Sequence, residues 1–174
     1  MSVDYKWKIV LLGDFAVGKT SLVRRYVYDE FSDSYLTTIG VKVTRKDVAI
    51  NDSIRADLLL WDIAGSDKFM KISPDYLKGA SAGIIVADLT RRSTIDNIPE
   101  HIDLLQSVNP SAIVFIALNK SDISPNADEH INKTRDMLSG KTFGSLIATS
   151  AKDGSNIDAL FRDITSIIFQ AIQK

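Results

Sequence analysis

Residues 13–20 read GDFAVGKT. A glycine, four residues and then Gly-Lys-Thr is a pattern that cradles phosphate between a strand and a helix. Its glycines let the backbone turn tightly, so that successive N–H groups point inward at phosphate oxygens. The helix that follows contributes the positive end of its dipole. Lys19 then reaches the terminal phosphates as a point charge, and the Thr20 hydroxyl is offered to Mg²⁺. The competing reading is an ordinary strand-to-helix turn with a solvated lysine. An apolar strand before the loop and a helix-period stretch after it favour the phosphate reading.

A second constellation lies far downstream. Residues 119–122 read NKSD and follow an apolar run ending at Leu118. A carboxylate there accepts two hydrogen bonds from the N1–H and exocyclic amine of guanine, a donor pair that adenine lacks. Asp122 therefore selects guanine, and the cost of leaving such a desolvated bond unmade supports large discrimination. Residues 149–152, TSAK, end the next apolar run. The Ala151 N–H is placed to bind the guanine O6, and Ser150 to brace Asp122. Alone, NKSD competes with a capped turn and TSAK with a plain strand end; behind a phosphate loop they point to one base-binding corner.

Composition excludes several other classes. The chain has 174 residues, 45% hydrophobic and 25% charged, which suits one soluble globular domain over residues 1–174. Lys plus Arg is 21 and Asp plus Glu is 22, for a formal net charge of −1, so there is no electrostatic case for a nucleic-acid binder. The absence of Cys excludes disulfides, a thiolate metal site and a lipidated cysteine in this sequence. The apolar runs are far short of a membrane span. The expectation is a cytoplasmic monomer, reaching the cytosolic face of a membrane only through a tail absent from this sequence.

These site residues need elements to hold them at one edge. Apolar runs at 7–12, 84–88 and 112–118, with a weaker one at 143–149, read as strands buried on both faces. Helix-period stretches at 20–29, 94–106 and 155–172 separate or follow them, the last with Ser155 or Asn156 as N-cap. Residues 41–50 and 54–63, joined by NDS, read as a hairpin. The expected fold is α/β of the phosphate-loop NTPase type: a doubly wound, mostly parallel six-stranded sheet with one antiparallel strand and helices on both faces. Ligands of such sheets bind beyond the carboxyl ends of the strands, where the motifs fall.

Taken together, GDFAVGKT, a threonine before a hairpin, WDIAG at 61–65, NKSD and TSAK resemble the Ras superfamily of small GTPases along essentially the whole chain. TIGVKV at 38–43, LLLWDIAG at 58–65 and YLKGASAGIIVADLT at 76–90 are most similar to the Rab branch. The resemblance implies a GTP/GDP switch with Mg²⁺. It assigns Gly13, Asp14, Phe15, Ala16, Val17, Gly18, Lys19, Thr20 and Ser21 to the phosphates. It gives Phe31 and Tyr35 to the nucleotide, and Asn119, Lys120, Asp122, Ser150, Ala151 and Lys152 to the base. It implies Thr20, Thr38 and Asp62 as metal ligands, with Lys19, Thr38 and Gly65 acting on the γ-phosphate. Thr37 is the competing ligand to Thr38, and simple core is the competing reading of Phe31.

In the family a glutamine that orients the attacking water follows the WDxAG glycine. Here that position is Ser66, whose side chain is short and lacks the amide's donor–acceptor pair. Phe15 and Ala16 stand where relatives often carry small residues; Phe15 would shield the γ-phosphate or obstruct an incoming arginine, or equally point away over the surface without effect. Slow GTP hydrolysis is the expectation, unless Asp67 or a partner positions the water. Segments 30–43 and 61–78 are implied to meet an exchange factor, a GTPase-activating protein and effectors, with Val43, Trp61 and Tyr76 as an apolar contact surface; Trp61 reads equally as core. The rivals are a hydrolysis-deficient recruiting module, and a phosphate-loop kinase or ATPase, which NKSD disfavours. His101 and His130 read as helix residues without a second ligand, and Arg91 and Arg92 as a solvated loop.

Overall fold

A computed structural model describes residues 3–34, 37–65 and 71–174. Among these residues the strands β1 (Val3–Leu12), β2 (Val41–Asn51), β3 (Ile54–Ile63), β4 (Ala82–Asp88), β5 (Ile113–Asn119) and β6 (Ser145–Ala148) form one six-stranded sheet in the order β2-β3-β1-β4-β5-β6. All neighbours are parallel except β2 with β3. The hairpin turns at Asp52–Ser53, where Ser53 N donates to Asn51 Oδ1 at 2.9 Å, a side-chain bond that closes such turns locally.

The strands at the centre are apolar throughout because both faces are covered. One core cluster joins Ile9, Leu11, Leu58 and Ile84 to Leu22 of α1 (Lys19–Tyr28) and to Leu160, Phe161 and Ile164 of α5 (Ile157–Ile172). The other joins Val10, Ile85 and Ile116 to Ile95 of α2 (Arg92–Asp96) and to Ile98, Ile102 and Leu105 of α3 (Ile98–Val108), with Ile131 of α4 (Ala127–Met137) packed against it. Tyr26 stacks on Phe161 with ring planes 4° apart, which fastens α1 to α5.

Local chemistry adjusts three expected boundaries. The helical stretch expected over 94–106 is two helices, α2 and α3, meeting at Asn97. Pro99 in the first turn of α3 has no N–H to continue a helix from α2. Strand β1 begins at Val3 rather than residue 7, because its polar start pairs with β3 from Val3↔Ile54 onward. Asn156 takes the N-cap position of α5 but makes no capping bond: its backbone is left-handed and its Nδ2 donates to Ala148 O at 2.8 Å. No helix among the described residues is long and apolar enough to cross a membrane.

Candidate functional site

The carboxyl ends of β1, β3 and β5 and the loop after β6 meet around a cavity of about 420 Å³. Between β1 and α1, residues 13–18 form a loop with Ala16 in the left-handed region at φ 61. Gly18 has φ 101, and a Cβ there would lie 2.3 Å from Asn119 Nδ2, so no other residue type fits without displacing the Asn119 side chain. Asn119 uses this closeness: its Nδ2 donates to Val17 O at 3.0 Å.

Lys19 is the first residue of α1 and is buried. Its ammonium donates to Gly13 O and Asp14 O, each at 2.9 Å, so it bridges the mouth of the loop. Burial pulls its pKa down to about 8, against the opposing pull of Asp62 and Asp14. A cation desolvated in this way gains by meeting an anion.

Beside Lys19, three oxygen-bearing side chains converge from α1, the segment before β2, and β3. Thr20 Oγ1 donates to Asp62 Oδ2 at 2.5 Å and lies 2.6 Å from Thr38 Oγ1. Thr38 Oγ1 reaches the same Asp62 oxygen at 3.4 Å. It is Thr38 whose hydroxyl enters this cluster; Thr37 is exposed on the cavity wall. Asp62 is buried, and burial pushes its pKa up despite the Thr20 bond. Its other oxygen, Oδ1, has no hydrogen-bond partner among the described residues. A buried, unpaired carboxylate oxygen next to two hydroxyls is a hard-oxygen donor set that suits Mg²⁺.

At the opposite end of the cavity Lys120, in the left-handed region at φ 67, donates to Ala16 O at 3.1 Å. Ser150 Oγ donates to Asp122 Oδ1 at 2.7 Å, leaving Oδ2 for another donor. The Ala151 N–H donates to Asn119 Oδ1 at 3.2 Å, so the loop after β6 is linked to the end of β5. Ser21, Phe31 and Lys152 line the same cavity, and Val17 is buried beneath the loop.

Gly65 closes the cavity on the β3 side, and a Cβ there would sit 2.5 Å from Phe15 Cα. Ala64 N donates to Gly40 O at 2.8 Å, which joins the segment before β2 to the segment after β3. Phe15 lies on the cavity wall, 44% exposed. Tyr35, Ser66 and Asp67, each named from the sequence, lie outside the described residues. Trp61 and Tyr76 pack against the second core cluster, whereas Val43, opposite Trp61 in the hairpin register, is 47% exposed.

One sequence reading is corrected, and a second residue has a partner the sequence did not show. Arg91 is no solvated loop residue: its Nε donates to Asp88 Oδ2 at 3.0 Å and its Nη2 to Phe15 O at 2.7 Å. His101 is buried and its Nε2 lies 2.9 Å from Asp14 Oδ1. Sequence reasoning missed Arg25 as well, which donates to Ala151 O at 2.9 Å and to Lys152 O at 2.5 Å and so anchors the loop after β6. Asp88 had a visible signal, a charged residue closing an otherwise apolar strand at the ligand edge. His101 and Arg25 had none, since Asp14, Ala151 and Lys152 are distant from them in the chain.

Comparison with known proteins agrees with this geometry. The family model for the Ras family matches residues 8–170. Ras-related protein RABA4a of Arabidopsis thaliana is 35% identical over 179 residues, covering 99% of this chain and 76% of that protein. Ras-related protein RABA6a of the same plant is 37% identical over 161 residues, 91% and 67% of the two chains. Ras-related protein Rab-19 of Mus musculus is 34% identical over 161 residues, 92% and 74%.

Proposed function

The chain belongs to the Ras family, and on that premise we propose that it is a Rab-like GTP/GDP switch that hydrolyses GTP slowly and serves vesicle traffic. In this reading residues 1–174 form one G domain that works as a monomer. The observation that carries the reading is the convergence, around one cavity, of buried Lys19, the Thr20–Thr38–Asp62 oxygen cluster and the Ser150-braced Asp122.

Lys19 and the amides of residues 13–18 bind the phosphates, and the buried ammonium regains a counter-charge on doing so. Thr20, Thr38 and Asp62 would hold Mg²⁺, which supplies charge neutralisation at the β- and γ-phosphates. Asp122 takes the two guanine donors on its two carboxylate oxygens, while Ser150 braces Oδ1 through a further lone pair. Asn119 holds the phosphate loop against the base corner through Val17 O. Thr38 and the Gly65 N–H sense the γ-phosphate, and the Ala64–Gly40 bond transmits its presence or loss between the two segments. Those segments, 30–43 and 61–78, would carry the exchange factor, the GTPase-activating protein and effectors.

Slow hydrolysis follows from Ser66 in the glutamine position. The test is single-turnover hydrolysis of bound GTP by the native chain and by Ser66→Gln. A gain of roughly tenfold or more in the variant is expected from restoring water orientation, and equal rates would remove Ser66 as the cause. Phe15 at the cavity wall favours a second reading, a module that holds GTP, scarcely cleaves it and recruits partners. Chromatography of the nucleotide released on denaturation separates the two: GDP supports turnover, GTP the recruiting module.

A further inference from the structure

Three consecutive residues of the phosphate loop are held from outside it. Asp14 accepts from Asn97 Nδ2 at 2.8 Å, Phe15 O from Arg91 Nη2 at 2.7 Å, and Ala16 O from Lys120 Nζ at 3.1 Å. The last two donors share one anchor. Asp88, 1% exposed at the end of β4, receives Lys120 Nζ at 2.7 Å and Arg91 Nε at 3.0 Å on Oδ2. Its Oδ1 receives Thr90 N at 2.9 Å and Thr90 Oγ1 at 2.6 Å. Every lone pair of a buried carboxylate is thus in use, the condition under which such a group holds one geometry.

A peptide unit gripped by its carbonyl cannot flip. A flip at residues 15 or 16 would replace an inward amide with a carbonyl oxygen facing the phosphates. The left-handed backbone of Ala16, at φ 61, is one an alanine rarely adopts unaided, so this stretch would relax to other conformers if released. Preorganisation of a binding loop lowers the ordering cost paid on association. The anchor also leaves two cations on one carboxylate, a net positive charge at the rim of the phosphate cavity.

We propose that Arg91 and Asp88 are positioning residues for the bound nucleotide, which fix the carbonyls of Phe15 and Ala16 and so slow nucleotide release. This rests on the guanine-nucleotide reading above. Neither residue lines the cavity, so their action passes through the loop and through Lys120.

The experiment follows release of a fluorescent GDP from the full chain with Mg²⁺ for wild type, Arg91→Ala, Arg91→Lys and Asp88→Asn. Thermal unfolding confirms that each variant is folded. Arg91→Ala is expected to release roughly 3- to 10-fold faster, a charge-assisted bond discounted for its part-exposed side chain. Arg91→Lys is expected to recover part of this loss, since one ammonium can still reach between carboxylate and carbonyl. Asp88→Asn, which loosens both cations, should exceed Arg91→Ala. Unchanged release from Arg91→Ala, or a lysine no better than alanine, overturns the inference alone. Failure of the wild type to bind GDP overturns it together with the nucleotide reading.

Discussion

His101 Nε2 lies 2.9 Å from Asp14 Oδ1, which ties the interior of α3 to the phosphate loop across 87 residues of sequence. Asn97 Nδ2 holds the other carboxylate oxygen at 2.8 Å. The loop is therefore fixed to the helix layer independently of any ligand.

That tie has a pH signature. Burial by itself raises the Asp14 pKa, but the His101 and Asn97 bonds outweigh it and hold the carboxyl below its ordinary 3.8. A depressed carboxylate contributes stability above its unfolded value and loses it as pH falls through the folded one. Asp14→Asn should therefore cost about 1–3 kcal/mol near neutral pH. The gap to wild type should shrink as pH drops below the ordinary carboxylate range. Urea unfolding of both proteins down to acid pH measures it, and a gap that ignores pH would refute the tie.

Asp62 makes the opposite kind of prediction. Its carboxylate is buried with one oxygen unpaired and its pKa raised by that burial, so in the ligand-free chain its charge is a cost. Asp62→Asn should leave the nucleotide-free protein as stable as wild type or more stable by about 1 kcal/mol. The same variant should lose the slowing of nucleotide release by Mg²⁺. Thermal unfolding in chelator, paired with release rates with and without Mg²⁺, checks both halves. A variant that unfolds earlier and still responds to Mg²⁺ would contradict the placement.

At Gly65 the obstacle is backbone. A Cβ would lie 2.5 Å from Phe15 Cα and 2.7 Å from Phe15 N, atoms that cannot move aside as a flexible side chain would. Gly65→Ala should keep GDP affinity, because Lys19 and Asp122 are untouched. It should hydrolyse bound GTP at least about tenfold more slowly, the scale for losing one preorganised amide donor. Equal single-turnover rates would show that this close approach has no part in the reaction.

For the base, Ser150 is the informative position. Its hydroxyl donates to Asp122 Oδ1 at 2.7 Å and sits buried among the strand ends. Ser150→Ala should weaken GDP binding by roughly tenfold, one hydrogen bond to a charged group. Asp122→Ala should weaken it by about a hundredfold or more and erase preference over ADP. Competition binding with GDP and ADP reads both, and a retained preference in Asp122→Ala would move guanine recognition elsewhere.

The sequence by itself determined the phosphate loop, the NKSD corner, the hairpin and the buried parallel strands. Each is a local property: glycine placement, a run of β-branched residues, a short polar turn. It left open which of Thr37 and Thr38 faces Asp62, whether Trp61 is core or surface, and what Arg91 and His101 touch. Tertiary structure decided these, because each depends on which strand ends become neighbours. With β4 beside β1 and β5 beside β4, Asp88 comes next to Asn119 and within reach of the loop after β1. Arg91 then meets Phe15 across 76 residues and Lys120 meets Ala16 across 104. Contacts over such separations leave no periodicity along the chain, since burial of the sheet's faces fixes the strand order and the strand order fixes the partners.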